Sequence, residues 1–363
     1  LVLALSFIAS AIFTYTALNT KYGLLSAWTG ALIYALAPYR FVDIYVRGAL
    51  GESLSFIFPP LLIWGFSKKS WPVLIIGWAG LFLTHPTASA VFSAFFLGYV
   101  LITADRQRIG SALKLFWGPY ITALLIASFN LLPTILLTKH TYYSPLLSDT
   151  LLMFPTFSQL FHSTWGYGVS LPGPLDGMSF ELGFIQWIIL FVGVIASIRS
   201  KNMEVKYLTI CSIAVLFFIL PISIPVYKFL HLTSIIDFPW RLLLCLVFAT
   251  AWLGAEIVDQ LIRKSVNPYL VKIIVLIVTV MLLVQSLPVA HTDSYWDKPL
   301  SWFARETGDS YGEYAPLSRE TRDSAPFWKR VEFVKGEGTI DTLISKSNAQ
   351  IYRVNTLSAG EIR

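Results

Sequence analysis

About ten long apolar stretches, separated by short polar segments, occupy the first 289 residues of this 363-residue chain, and no other feature restricts its fold as strongly. About 20 apolar residues in a helix cover a hydrocarbon core about 30 Å thick. Lipid offers the backbone no hydrogen bonds, so stretches of this kind cross it as α-helices. They lie near 1–18, 24–38, 53–66, 71–84, 86–103, 115–138, 182–198, 207–222, 240–262 and 270–289. Composition agrees: 55% of residues are hydrophobic and 13% charged, against about 25% charged in soluble domains, and the mean hydropathy is +0.65. The expected fold is an all-α polytopic transmembrane bundle of about ten spans over 1–289, followed by a soluble region over 290–363.

Loop charges orient the bundle. Lys21, Lys68 and Lys69, then Arg106, Arg108 and Lys114, then Arg199, Lys201 and Lys206, and finally Arg263, Lys264 and Lys272 fall in alternate loops. Positive charge collects on the cytoplasmic side of a membrane protein. The net charge of +6 therefore reflects topology and gives no nucleic-acid signal. The other loops, at 39–52, around His85, at 139–181, at 223–239 and from 290 onward, are expected outside, in a multi-pass protein of the plasma or inner membrane with an extracytoplasmic C-terminal region. Cys211 and Cys245 lie in apolar runs and read as small core residues.

The stretch 71–103 contains Thr84, His85 and Pro86 between two apolar halves. Read as one helix it would place Lys68 and Arg106 on opposite sides; two short spans keep them together. A helix of about 14 residues covers only about 21 Å, which predicts a turn at His85 below the outer surface and a recessed external cavity there.

The external stretch 37–53 reads APYRFVDIYVRGALGES. On a helix, Arg40, Asp43 and Arg47 would share a stripe. Two readings stay open: an interfacial amphipathic helix, or an anion site in which the guanidinium forks meet a phosphate. Gly48 and Gly51 would permit close approach of backbone or ligand. The second external cluster, Asp237 to Leu243, reads either as Trp240 in an aromatic belt with Arg241 snorkelling to headgroups, or as a further phosphate ligand with Asp237 beside it. His85 reads as a turn cap or as a proton-transfer or ligand-binding residue in the cavity.

The loop 139–181 is rich in aromatics, prolines and glycines and predicts short interfacial helices. His162, Trp165, Tyr167, Asp176 and Glu181 there are candidate sugar or acceptor contacts. Beyond 290 the alternation in IDTLIS and AQIYRVN predicts strands of a partial external β-rich domain. Leu1 already lies in an apolar run without a charged n-region, and the C-terminal strands are too few to close a sheet, so further sequence is expected at both ends. Metal-ligand spacings, a P-loop, a Rossmann fingerprint and a GxSxG elbow are absent from the sequence, and no cofactor or metal is indicated.

The stretches LAPYRFVDIYVRGALGES, LFLTHPT and IIDFPWRLL together resemble the bacterial and archaeal polytopic membrane proteins known as 6-pyruvoyl-tetrahydropterin-synthase-related, within the GT-C-like membrane glycosyltransferase group. The resemblance covers most of residues 1–320. It implies a GT-C-like fold, a polyprenyl-phosphate sugar as donor, a glycan or protein acceptor on the outer face, and an acidic catalytic residue in the first external loop. Carried over by motif, Arg40, Arg47 and Arg241 would hold the lipid phosphate, Asp43 would orient Arg47, and Glu52 would be the fallback catalytic acid. His85 and Asp237 would line the cavity. The family's own acid is expected upstream of Leu1. A rival reading is a non-enzymatic transporter or assembly factor for lipid-linked glycans, and a third is a structural membrane protein whose external region binds partners.

Overall fold

In the computed structural model the described residues are 1–138, 140, 153–168, 170, 176–264, 266–295, 333–335, 337–346, 349–359 and 361–362. Two compact units are present, residues 1–137 with 144–295, and residues 138–143 with 296–363.

The first unit is helical. Its elements are α1 (Val2–Asn19), α2 (Leu24–Ala35), α3 (Pro38–Phe41), a π-helical segment (Val42–Val46), α4 (Leu50–Ser55), α5 (Phe58–Lys68), α6 (Trp71–Thr84), α7 (Pro86–Thr103), α8 (Ile109–Thr138), α9 (Phe157–Phe161), α10 (Phe184–Arg199), α11 (Met203–Ile219), α12 (Ile224–Leu230), α13 (Leu243–Arg263) and α14 (Pro268–Ser286). Proline in the first turn starts α5, α6, α7 and α14, where its missing N–H costs nothing. Asn202 and Asn267 cap α11 and α14 by accepting backbone N–H bonds.

Each of the ten expected apolar stretches is helical, but six helical stretches are long and apolar enough to cross a membrane alone. A seventh results if Met203–Ile219 and Pro221–Leu230, bent by 84°, form one span. Leu24–Ala35, Trp71–Thr84 and Phe184–Ile198 are apolar but shorter. The difference is one of length: hydropathy locates a stretch, whereas proline and glycine punctuation decides how much of it continues as a straight helix.

Helix α13 is the buried axis, with 94% of its apolar window inside the protein. Helix α2 lies along it and α1 packs on α2; the buried hydroxyls of Ser6, Ser10 and Thr14 on α1 donate back to carbonyls of their own helix. That pairing satisfies them without water. Trp78 centres a second cluster with Phe82, Phe96, Phe116 and Tyr120.

The basic loops share one end of this unit. Lys21 pairs with Glu204, Tyr99 donates to the same carboxylate at 3.4 Å, and Asn202 donates to Glu256 at 3.1 Å. The loops around 21, 104 and 201 and the end of α13 therefore meet, as the alternation of loop charges requires.

In the second unit, β2 (Gly338–Lys346) and β3 (Ala349–Thr356) form an antiparallel hairpin with an irregularity between Thr342 and Ile344, and β1 (Phe333–Lys335) pairs with β4 (Glu361–Ile362). Strands thus occur on IDTLIS and AQIYRVN, but the described residues make a hairpin and one short strand pair rather than a β-rich domain. Residues 296–332, placed in the expected external region, lie outside the described residues, as does most of 139–152.

Candidate functional site

The charged stretch after Pro38 does not continue as one α-helix. After α3 the chain widens into the π-helical segment, with the Arg47 N–H bonded to the Val42 carbonyl at 2.9 Å, and then turns at Gly48, whose φ of 56° suits glycine. A π-turn inserts extra residue per turn and shifts the rotational phase. The expected stripe is not formed: Asp43 and Arg47 stay together, and Arg40 lies among aromatic rings.

Glu52, in the first turn of α4, is the hub. Its Oε1 accepts from the Tyr39 hydroxyl, and its Oε2 lies 2.7 Å from Arg47 Nη1, 3.5 Å from Arg241 Nε and 3.6 Å from His85 Nε2. Arg47 Nη1 also donates to Asp43, and Arg241 Nη1 donates to Asp237. Thr87 donates to the other Asp237 oxygen at 3.2 Å. At Gly51 an added Cβ would lie 2.5 Å from the Thr84 carbonyl oxygen. The bare glycine thus lets α4 press on the break between α6 and α7 and brings Glu52 to His85.

Trp240 is buried, not a belt residue. It is 3% exposed and forms an aromatic floor, with the Arg47 guanidinium 4.4 Å and the Arg241 guanidinium 5.7 Å from its ring. Arg241 turns inward to Asp237 and Glu52 instead of snorkelling outward. Contacts of this kind contribute about 0.5–2 kcal/mol, the upper end applying where water is excluded.

Charge balance follows from burial. Three carboxylates, Asp43, Glu52 and Asp237, face two guanidinium groups. Burial and the neighbouring Glu52 charge push the Asp43 carboxyl well above its ordinary range, and burial pushes the His85 imidazole down. Both shifts favour neutral forms. With Asp43 and His85 neutral, Glu52 and Asp237 match Arg47 and Arg241. The positive excess expected from the sequence disappears because Glu52 and Asp237 join the cluster. His85 Nδ1 accepts the Ala88 N–H at 3.1 Å, so the neutral ring carries its proton on Nε2, facing Glu52. His85 therefore caps α7 while touching the charge centre.

Arg40 is separate and 1% exposed. Its guanidinium sits 4.2 Å from the Phe56 ring, 5.1 Å from Phe7 and 5.7 Å from Tyr34. None of its three side-chain nitrogens has a hydrogen-bond partner among the described residues, and neither has Asp43 Oδ2.

The recess expected at His85 is closed. The cavity between Glu52, His85, Thr87 and Arg241 measures about 10 Å³, room for about one water. In the loop preceding α10, Asp176 accepts from Gln159 at 2.7 Å and from Ser170 at 3.4 Å. Trp165 stands edge-on to Tyr167, whose hydroxyl is 2.9 Å from His291 Nδ1. His162 follows the short helix α9. This loop meets the charge centre at Phe180, whose ring lies 5.9 Å from Trp240. No group of three or more His, Cys, Asp or Glu side chains among the described residues is placed to hold a metal ion.

Tyr39 and Thr87 belong to the site but were not singled out from the sequence. Their signal was adjacency: Tyr39 precedes Arg40, and Thr87 follows Pro86 in the broken-helix motif. Comparison with family models and with curated proteins finds no match.

Proposed function

We propose that the chain is a multi-pass membrane protein of about ten spans that handles a polyprenyl-phosphate-linked sugar at the outer face, as a GT-C-like glycosyltransferase. One observation carries this reading: Arg47 and Arg241 converge on one carboxylate, yet each keeps its Nη2 group outside any hydrogen bond among the described residues. Their side chains are 14% and 18% exposed. Ionisable groups buried in a membrane are costly, and their arrangement is a functional signal. Two fixed guanidinium groups with spare donors suit phosphate oxygens, which they can grip in the plane of the fork.

In this reading Glu52 positions the two arginines. Glu52, ionised and lining the small cavity beside His85, also takes the acceptor hydroxyl proton, while Asp43 holds Arg47. The acceptor oxygen bonds to the anomeric carbon as the bond from that carbon to the phosphate oxygen breaks. The departing lipid phosphate keeps the electron pair and is stabilised by Arg47 and Arg241. The spare donors of Arg47 and Arg241 serve equally a second reading, a protein that holds the phosphate headgroup for transport without chemistry.

The test uses the protein in proteoliposomes with a radiolabelled polyprenyl-phosphate sugar. Lysine keeps charge but loses the fork, so Arg47→Lys combined with Arg241→Lys weakens donor binding about tenfold or more. Unchanged binding by this variant removes the phosphate site. Sugar transfer by the unaltered protein selects the transferase reading; donor binding with no transfer by the unaltered protein selects the transport reading.

The sidedness has its own test. In a background lacking Cys211 and Cys245, Ser158→Cys reacts with an impermeant thiol reagent applied outside, and Lys201→Cys does not. External labelling at 201 overturns the topology.

A further inference from the structure

At the end of the bundle opposite the charge centre, a cavity of about 740 Å³ opens between the last turns of α5 and α7 and the first turns of α6 and α8. That volume falls within the range of ligand sites, about 300–1,000 Å³. Its interior is hydrocarbon and aromatic, formed by Phe66, Trp71, Val100 and Leu115, while Lys69, Arg108 and Lys114 stand on its wall. Among the described residues none of these three cations has a carboxylate within ion-pair distance. Asp105 also lines the cavity, with its carboxylate accepting the Gln107 N–H at 3.3 Å. The net charge of the lining is therefore positive.

We propose that this cavity binds an anionic phospholipid of the adjoining leaflet, with the phosphate at Lys69, Arg108 and Lys114 and the upper acyl chains against Phe66 and Trp71. Charge complementarity selects the headgroup, since basic pockets between membrane helices on the basic side take anionic lipid. The apolar interior selects a lipid over a free phosphate, which would leave that surface against water. Trp71 is 41% exposed, which suits an indole at the level of headgroups. The two cations of α8 and its preceding turn, with the cation ending α5, would then be bridged by one lipid. The lipid would tie α8, the least covered of the six stretches able to cross alone, to α5.

The experiment is native mass spectrometry on the delipidated full chain, titrated with phosphatidylglycerol, phosphatidylcholine of the same acyl chains, and inorganic phosphate as competitor. One phosphatidylglycerol is expected to bind at least tenfold tighter than phosphatidylcholine. Each basic residue near such a surface contributes about fivefold, so Lys69→Gln, Arg108→Gln and Lys114→Gln together weaken phosphatidylglycerol about a hundredfold and leave phosphatidylcholine unchanged. Ala112→Trp, which fills the cavity and keeps all three cations, also lowers phosphatidylglycerol binding. Equal binding of the two lipids, undiminished phosphatidylglycerol binding by both variants, or displacement of the lipid by inorganic phosphate at comparable concentration overturns the proposal. The three cations are exposed, and surface substitutions of this kind usually move stability by no more than about 0.5 kcal/mol; unchanged thermal unfolding checks this.

Discussion

Glu52→Gln destabilises the helical unit by about 3–5 kcal/mol, the cost of removing one partner from a buried ion pair. The carboxylate sits between Arg47 and Arg241 and accepts from Tyr39. An amide of the same shape keeps at most one acceptor there and presents N–H groups to two cations. Asp43 and Asp237 remain, but each already serves one guanidinium and neither bridges the two. Against a total stability of about 5–15 kcal/mol for a domain, the loss is large enough to lower the midpoint of thermal unfolding in detergent clearly. Glu52→Asp keeps the charge one methylene short of its partners and falls between. A Gln variant with an unaltered midpoint would show that Glu52 does not hold the arginines in the folded protein.

Arg40→Met is expected to do the opposite and stabilise the protein by about 1–4 kcal/mol, the range seen when buried ionic groups give way to apolar ones. Burial pushes the Arg40 guanidinium down to about 10, which still leaves it charged at neutral pH. The surrounding rings of Phe7, Tyr34 and Phe56 recover about 2 kcal/mol by cation–π attraction, less than the several kcal/mol that dehydrating the charge costs. Met follows the same path through the rings without a charge. A rise in the unfolding midpoint accompanied by unimpaired donor binding assigns Arg40 no part in the phosphate site. A fall in stability would mean that the guanidinium has a hydrogen-bonding partner in the folded protein, and the aromatic cage would not be its whole environment.

These two arginine environments, seven residues apart, define the limit of what could be read locally. Apolar stretches, helix-starting prolines and alternating basic loops are each set by neighbouring residues, so the sequence alone identified a polytopic helical membrane protein and located its helices. The close approach expected at Gly48 and Gly51 occurs at Gly51, against the Thr84 carbonyl; Gly48 has open space around it and serves a left-handed turn instead. Which of the helices are long enough to cross alone was not legible, since hydropathy does not register the bend after Ile219 or the short reach of α2, α6 and α10.

Which arginine faced which carboxylate was decided only by the tertiary structure. Arg40 lies among aromatic rings while Asp43 and Arg47 pair, and nothing in the spacing of positions 40, 43 and 47 announces such a split. Burial turned Trp240 into a floor beneath Arg47, although its place at the start of an apolar span equally fits a membrane belt. Glu52 became the hub because Gly51 packs against Thr84 while α13 brings Arg241 to the same end. Hydrophobicity is a property of each residue and survives in the sequence; the pairing of charges depends on where distant helices meet and on the cost of leaving any one of those charges dry and alone.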